Sequence, residues 1–212
     1  MASQGLREET MDAFARLAEP VFHRAGERRF SRSAVAIGAF DGVHLGHQKL
    51  INRMVRSSME LGVPSVVYTF DPPPKVYFGA ARPLICLEEK LDRISALGVD
   101  HIVVAAFTEA FRQRSAEAFI GDLASLGPEI VWVGSDFRFG ACKTGTPALL
   151  ARYFDTHVFA QHCTCAGNPI SSTLIRALRD AGDRNGAEEL LGWRGFDFRR
   201  PQTGKDGGES HV

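Results

Sequence analysis

Two histidines three positions apart, His44 and His47, lie in the stretch GAFDGVHLGHQKLI, directly after an apolar run. Gly42 precedes the pair and Gly46 lies within it, and glycine permits a tight turn and close approach of backbone to a ligand. A helix that begins here directs free N–H groups and about half a positive charge at whatever lies in front of it. The imidazoles add side-chain donors at the same place. This combination predicts a binding site for a phosphate chain.

The spacing of the glycines argues against two familiar phosphate-binding loops. A Walker loop needs a lysine followed by serine or threonine, and the dinucleotide fingerprint needs the pattern G-x-G-x-x-G. Neither pattern surrounds Gly42 and Gly46. The sequence therefore favours neither a P-loop kinase nor a dehydrogenase. A tight turn with a capping imidazole is the plainest alternative interpretation.

A zinc site is the second alternative, because His44 and His47 have a spacing that metal ligands use. Such a site would need further ligands, and the closest cysteine pair, Cys163 and Cys165, has no second matched pair. We therefore expect reduced thiols there and no metal held by protein side chains.

A second helix start with hydroxyl groups lies near the end of the chain, in SSTLIRALRDAG. Ser171, Ser172 and Thr173 offer hydroxyls and backbone N–H groups, and Arg176 follows one turn later, where a guanidinium can bind phosphate oxygens in a fork. Read alone, the hydroxyls would be ordinary helix caps. Capping and phosphate binding are compatible.

The elements that must position these residues alternate along the chain. Continuous apolar runs predict buried strands, and apolar residues at helical spacing predict helices. The predicted strands are 34–40, 65–70, 101–107, 129–134 and 157–162, and the predicted helices are 46–61, 87–98, 116–126, 146–154 and 171–182. Apolar strands separated by helices imply a parallel sheet covered on both faces. The predicted fold is α/β: an open, doubly wound, Rossmann-like, mostly parallel five-stranded sheet.

The length and charge of the chain set further bounds. Its 212 residues suffice for one sizeable core. Lysine plus arginine and aspartate plus glutamate number 25 each, so no bulk field attracts nucleic acid or an anionic membrane. Four cysteines without a disulfide framework and an N-terminus without an apolar signal core predict a cytoplasmic protein. We expect an extension at 1–33, a domain at 34–193 and a polar, flexible tail at 194–212.

The histidine stretch also carries a resemblance. GAFDGVHLGH resembles the G-x-F-D-x-x-H-x-G-H signature of the nucleotidyltransferase superfamily. TFDPPP, VGSDFRFG and NPISSTLIRALRDAGD with AEELLG follow in the order and spacing of the FMN adenylyltransferase domain of bacterial FAD synthetases. The resemblance extends from residue 34 to residue 193. The combination of motifs is far more specific than H-x-G-H alone, which indicates only nucleotidyl transfer.

The resemblance implies a reaction in which the phosphate of FMN attacks the α-phosphorus of ATP, giving FAD and pyrophosphate. It assigns catalysis to His44, His47 and Arg176. The implied nucleotide-binding residues are Gly38, Ala39, Phe40, Asp41, Gly46, Ser171, Ser172 and Thr173, and the implied acceptor-binding residues are Phe70, Pro72, Pro73, Asp136, Phe137 and Arg138. Mg²⁺ would arrive with ATP, since no acidic cluster resembles a protein cage.

Two residues depart from the family pattern. Pro73 stands where FAD synthetases have histidine or arginine, and Ala39 where asparagine or lysine is usual. An acceptor other than FMN, such as a modified flavin or another phosphorylated compound, is therefore one alternative, and a non-catalytic nucleotide- or flavin-binding protein is another. The relatives continue into a riboflavin kinase domain, which this sequence lacks, so we expect FMN to come from a separate riboflavin kinase.

Overall fold

The structure, a computed structural model, describes residues 20–160, 162–164 and 167–194. These residues form one six-stranded sheet in the order β1-β4-β3-β2-β5-β6, and every neighbouring pair is parallel. The strands are β1 (Val21–Arg24), β2 (Ser33–Ile37), β3 (Ser65–Asp71), β4 (His101–Ala106), β5 (Pro128–Gly134) and β6 (Thr156–Phe159). The predicted doubly wound α/β class is confirmed, with six strands instead of five.

The additional strand, β1, lies inside the segment that the sequence analysis treated as an extension. It pairs with β4 at one edge of the sheet, from Val21 beside His101 to Arg24 beside Val104. Three of its four residues are exposed, so it has no apolar run that would have indicated a strand. Residues 1–19 and all of the predicted tail except Arg194 lie outside the described residues.

Helices connect the strands and cover both faces of the sheet. They are α1 (Leu45–Leu61), α2 (Pro74–Tyr77), α3 (Leu87–Ser95), α4 (Glu109–Arg112), α5 (Ala116–Ala124), α6 (Pro147–Leu150), α7 (Ser172–Asp180) and α8 (Arg184–Leu191), with a 3₁₀ turn at Ala141–Lys143. Ser115 and Ser171 cap α5 and α7, each accepting a hydrogen bond from the third N–H beyond it. Helix α6 is shorter than the predicted 146–154.

Strand β2 shows why both faces are covered. Val35 and Ile37 belong to a core cluster with residues of α5 and α6, whereas Ala34 and Ala36 belong to a second cluster with residues of α1 and α3. Side chains alternate between the faces of a strand, so every residue of β2 is buried. Strand β2 is thus the central, fully buried strand of the sheet, and the loop that follows it lies at the centre of the molecule.

The strand order also locates the crevice where a ligand can enter. From β2 the chain proceeds to β3 and β4 on one side, and then crosses to β5 on the other side. In open α/β sheets, ligands bind beyond the carboxyl ends of the strands at such a reversal. The loops after β2 and β5 therefore flank the expected crevice. No helix of the described residues has the length and apolarity needed to cross a membrane.

The close packing of the backbone around Gly127, directly before β5, can be tested by substitution. A Cβ on Gly127, at φ +56°, would lie 2.6 Å from the carbonyl oxygens of Phe30 and Ser31, whereas one on Gly62, at φ +63°, would meet nothing within 4 Å. We expect Gly62→Ala to lower the free energy of unfolding by about 1 kcal/mol and Gly127→Ala by about 3 kcal/mol. Urea unfolding measures both values. Equal losses of stability in the two variants would show that the backbone near Phe30 can move aside without cost in free energy.

Candidate active site

The loop between β2 and α1, residues 38–44, has an unusual backbone. Phe40, Gly42 and Val43 have φ angles of +47°, +82° and +44°. Such angles are uncommon for residues other than glycine, and for a β-branched residue they indicate strain. The predicted strand 34–40 therefore ends at Ile37, because Phe40 turns the chain instead of extending it. Strain of this kind is concentrated at functional sites.

Side chains from several elements hold this loop by its carbonyl groups. The hydrogen bonds run from Thr69 Oγ1 to Ala39 O (3.2 Å), Ser172 Oγ to Asp41 O (2.9 Å), Arg93 Nη1 to Gly42 O (2.8 Å), and Gln48 Nε2 and Trp193 Nε1 to Val43 O (2.9 and 2.8 Å). These bonds anchor the carbonyls of the loop in the protein. The first N–H groups of α1, as in any helix, have no intrahelical acceptors.

The two histidines lie together at that helix start. Their rings are stacked, with centroids 3.6 Å apart and planes 19° from parallel. His44 is the N-cap residue of α1, and its side chain makes no capping hydrogen bond. A Cβ on Gly46 would lie 3.2 Å from Cε1 of the His44 ring, which is tighter than most such contacts. Glycine between the histidines thus allows the ring to lie over the helix start.

Burial sets the charge state of both rings. It lowers the pKa of His44 to about 4. It also lowers the pKa of His47 well below its usual value, and the nearby His44 and Lys90 lower it further. Both rings are therefore neutral at pH 7. Their Nδ1 atoms are buried without a hydrogen-bond partner among the described residues. Buried unpartnered polar atoms are costly, so this pair is a candidate point of contact for a ligand.

Asp41, predicted to bind the nucleotide, and Arg176, predicted to be catalytic, form an ion pair with each other. Asp41 is buried and also accepts a hydrogen bond from Leu84 N at 3.0 Å. Arg176 also donates to Arg82 O at 2.8 Å and to Ser172 O at 3.2 Å. Three of the five guanidinium N–H groups thus have protein acceptors. Arg176 first of all ties α7 to the loop that carries the histidines.

The hydroxyl-bearing helix start lies against the same loop. Ser171 caps α7, Ser172 binds the carbonyl of Asp41, and Thr173 accepts a hydrogen bond from Lys75 Nζ at 3.1 Å. The backbone of this segment also approaches the histidines, because Ile170 O lies 3.7 Å from a Cβ built on Gly46. The structure therefore brings the two predicted phosphate-binding segments, distant in sequence, to one place.

The other predicted nucleotide-binding residues differ in their exposure. Gly38 and Ala39 are half-buried at the end of β2, where a ligand in the crevice would meet backbone. Phe40, in contrast, is 1% exposed and belongs to the core. Its ring lies 5.2 Å from that of His47 in an edge-to-face contact. Phe40 therefore packs against His47 from within the core and exposes no surface to a ligand.

The predicted acceptor residues divide between the ends of β3 and β5. Phe70 lies at the end of β3, whereas Asp136, Phe137 and Arg138 follow β5. Asp136 and Arg138 are exposed, and Arg138 donates to two carbonyls of its own turn. Phe139 is a core residue.

Aromatic side chains that the sequence analysis missed lie around Phe70, which is itself 5% exposed and belongs to a core cluster. Phe107 and Phe111 follow β4, with ring centroids 6.2 Å and 5.7 Å from that of Phe70. Tyr77 and the exposed Phe78 also contact Phe107. We call these five residues the aromatic cluster. The signal was a phenylalanine at the end of each of two neighbouring apolar runs, since parallel strands end at the same edge.

A small cavity of about 110 Å³ lies beside Pro72 and Pro73, which both line it. Asp41, Asp71 and Lys90 line it as well. Lys90 was also missed, although its position carried a signal. It lies on the same helical face as Leu87 and Ile94, at a spacing of three and four residues, where an apolar residue is the norm.

The described residues contain no group of three or more histidine, cysteine, aspartate or glutamate side chains that could hold a metal ion. Cys163 is exposed, and Cys165 lies outside the described residues.

Comparison with known proteins identifies the family of the chain. An α/β fold with two histidines at the start of the helix after a central strand defines the nucleotidyltransferase class. A family model described as FAD synthetase matches residues 27–174. The chain belongs to the FAD synthetase family, and the resemblance inferred from its motifs is confirmed.

Individual relatives share both sequence and fold. A protein of Geobacillus thermodenitrificans, named as a bifunctional riboflavin kinase/FMN adenylyltransferase, is 49% identical over 76% of this chain and 90% of its own length. The enzyme of that name from Listeria monocytogenes is 36% identical over 75% of this chain, which spans 53% of it. A crystal structure titled macrolide-efflux protein, from Streptococcus pneumoniae, is 26% identical with a TM-score of 0.72, covering 82% of this chain and 62% of its own.

The buried state of His44 predicts how stability depends on pH. Its pKa in the folded protein, about 4, lies below the value of 6.5 for a free histidine. Between these values the unfolded chain binds the proton first, so stability falls as the pH falls. Between pH 7 and pH 4.5, we expect the free energy of unfolding to fall by about 2–3 kcal/mol less in His44→Gln than in the wild type. Urea unfolding at the two pH values measures this, with the exposed His157→Gln as control. Equal losses in all three proteins would contradict it.

Proposed function

We propose that this protein is an FMN adenylyltransferase that transfers AMP from ATP to FMN and releases pyrophosphate. The observation that carries the proposal is the pair of neutral, stacked imidazoles with unpartnered Nδ1 atoms at the start of α1. The start of α7 lies beside it through Ser172 and Asp41. Two helix starts and two imidazoles that converge on one crevice suit a triphosphate.

The proposed reaction needs positioning and charge stabilisation more than proton transfer. An oxygen of the FMN phosphate forms a bond to the α-phosphorus of ATP. The bond from that phosphorus to the oxygen bridging to the β-phosphorus breaks, and its electron pair leaves with pyrophosphate. The attacking phosphate oxygen is already ionised near pH 7, so no general base is required. Preorganised donors aimed at the developing charge are sufficient for such a step.

His44 and His47 supply those donors. As neutral rings they each carry one N–H group, and a bound polyanion would raise their pKa by favouring the charged form. The charge that they can gain is thus coupled to the presence of the nucleotide. Arg176, held on Asp41, has N–H groups to spare for phosphate oxygens while it fixes α7 in place. Gly38 and Ala39 at the end of β2 are proposed to face the nucleotide through their backbone.

The aromatic cluster is proposed to receive the acceptor. Planar rings favour offset or edge-to-face contacts with other aromatic rings, and an isoalloxazine presents a large flat surface of that kind. Phe70 and Phe107 are held by mutual edge-to-face contact at the ends of neighbouring strands. Phe137, after β5, is proposed to close the site from the other side of the crevice, with Asp136 and Arg138 at the exposed rim.

Mg²⁺ is proposed to enter with the nucleotide. The carboxylate of Asp41 is already bonded to Arg176 and to Leu84 N, and Asp136 is exposed. The residues present therefore fit a metal ion carried by phosphate oxygens, which would screen the triphosphate charge, better than one held in a protein cage. We also propose a cytoplasmic location. The free thiols of Cys86 and Cys142 fit a reducing compartment.

A different phosphorylated acceptor is the second candidate, and Pro73 favours it. Pro73 is buried against the cavity and offers no donor, whereas the family resemblance implies histidine or arginine at this position. The chemistry at the α-phosphorus would be unchanged. Purified protein with Mg²⁺, ATP and FMN, or a panel of phosphorylated acceptors, decides between them. FAD formation supports the first candidate, pyrophosphate release with another acceptor alone supports the second, and binding without turnover would contradict both.

Removing one imidazole tests the catalytic role of the pair. We expect His47→Ala to lower kcat for FAD formation by about 10²–10³-fold, because one donor to the developing charge is lost. The measurement is pyrophosphate release under saturating ATP and FMN, with thermal unfolding as a check of the fold. His157→Ala, which removes an exposed histidine of β6, is the matched control and should retain activity. Unchanged turnover in His47→Ala would remove the histidines from the mechanism.

A second variant tests the aromatic cluster. We expect Phe107→Leu to raise KM for FMN about fivefold while KM for ATP changes less than about twofold, because a ring contact of roughly 1 kcal/mol is lost on the acceptor side only. Steady-state kinetics with each substrate varied in turn measures both values. Val158→Leu, at an exposed position of β6, serves as control. A parallel rise in both KM values would place the acceptor elsewhere.

A further inference from the structure

Lys90, on α3, is a buried lysine with too few partners. The residue is 2% exposed, and its Nζ donates one hydrogen bond, to Phe70 O at 2.7 Å. An ammonium group has three N–H donors, and among the described residues no acceptor is found for the other two. Lys90 forms no ion pair within the described part of the chain either. Buried charges are normally paired, so this group is incomplete without a ligand.

The cavity that Lys90 lines is where such a ligand would bind. Its walls are Asp41 from the β2–α1 loop, Asp71, Pro72 and Pro73 after β3, and Cys86 at the start of α3. Sites for whole small molecules measure about 300–1,000 Å³, so a cavity of about 110 Å³ fits only one group of a larger ligand.

The position of the cavity identifies that group. Strand β3 lies between β2, which leads to the histidines, and β4, which leads to Phe107 of the aromatic cluster. Lys90 is bonded to the carbonyl of Phe70 at the end of β3, and it is close enough to His47 to lower the pKa of that ring. A ligand with its rings on the aromatic cluster and its reacting atom at the histidines must therefore pass Lys90.

The charges in the cavity agree with an anionic group. Asp41 is neutralised by Arg176 and is further satisfied by Leu84 N. Burial lowers the pKa of Lys90, while the carboxylates of Asp71 and Asp41 act in the opposite direction. Neither carboxylate pairs directly with the ammonium. Helix α3 adds the positive end of its dipole at Cys86 and Leu87, which both line the cavity, and Glu88 and Glu89 in its first turn offset part of that charge. An incoming anion would supply the missing acceptors.

We propose that this cavity is the subsite for the phosphate group of the acceptor, with Lys90 as its binding residue. The proposal rests on the proposed function, in which that phosphate is the nucleophile. Phosphate oxygens would accept hydrogen bonds from the two remaining N–H groups of Lys90. These bonds would hold the phosphate beside His47, where it faces the α-phosphorus of the nucleotide. Neutralising the phosphate charge also reduces its repulsion from the triphosphate.

The test compares two flavins that differ only in the phosphate. Binding of FMN and of riboflavin is measured by flavin fluorescence, with α,β-methylene-ATP and Mg²⁺ present. Lys90→Met should weaken FMN binding about 10–100-fold, the worth of hydrogen bonds between charged groups, and change riboflavin binding less than about twofold. Lys143→Met, which removes an exposed lysine of the 3₁₀ turn, is the control and should bind both flavins like the wild type.

Lys90→Gln separates phosphate binding from structural support of Phe70. Glutamine keeps a donor for the Phe70 carbonyl but no charge, so it should behave like Lys90→Met if Lys90 binds phosphate. Recovery of FMN binding in Lys90→Gln, or equal weakening of both flavins in Lys90→Met, would show a structural role and overturn the proposal. Methionine fills the volume of the lysine stem and removes an unpaired charge, so urea unfolding should show that Lys90→Met is at least as stable as the wild type.

The same experiment distinguishes this proposal from the proposed function. If the wild type forms FAD but binds FMN no more tightly than riboflavin, the subsite is wrong and the function stands. If the wild type forms no FAD under any condition, the proposed function fails, and the acceptor on which the subsite depends fails with it.

Discussion

The hydrogen bonds that hold the carbonyls of the β2–α1 loop are the constraint on which the rest of the site depends. Two residues of that loop other than glycine, Phe40 and Val43, lie at positive φ, and strain of this kind costs about 1–3 kcal/mol per residue. Donors from β3, α1, α3, α7 and the segment after α8 offset this cost, at about 0.5–1.5 kcal/mol each and more for Arg93. No single element could hold the loop, so the site exists only when the whole domain is folded.

The groups that the loop brings together share one physical property. His44, His47 and Lys90 are all buried cations or potential cations whose pKa values burial lowers, and each leaves donors or ring nitrogens without a partner in the described structure. Desolvation is unfavourable in the unliganded protein and is relieved when an anion binds. A neutral ligand of the same shape gains nothing from this arrangement. The site therefore selects for negative charge before any specific contact is formed.

Much of the fold was accessible from the sequence because β2, β3, β4 and β5 are continuous apolar runs. Strand β1 was not, because an exposed edge strand of four residues has no such pattern. The same reasoning extended β2 to Phe40, an apolar residue that is buried as predicted. Its left-handed backbone is imposed by side chains that arrive from distant parts of the chain, and a local pattern contains no trace of them. Lys90 was visible as a lysine on an apolar helical face, but only the turn after β3 shows that it lines a cavity.

Asp41 explains how an acidic residue belongs in a site for anions. The starts of α1 and α7 each carry about half a positive charge, and two such ends repel each other when they converge. Asp41 lies three residues before the first histidine, its carbonyl accepts the hydroxyl of Ser172, and its carboxylate binds Arg176. The aspartate thus offsets the repulsion and sets the register between the two helices. Arg176 is consequently a positioning residue as well as a proposed phosphate ligand. Removing either member of the ion pair would displace α7 from the histidines, and this displacement would matter more than the change of charge near the nucleotide.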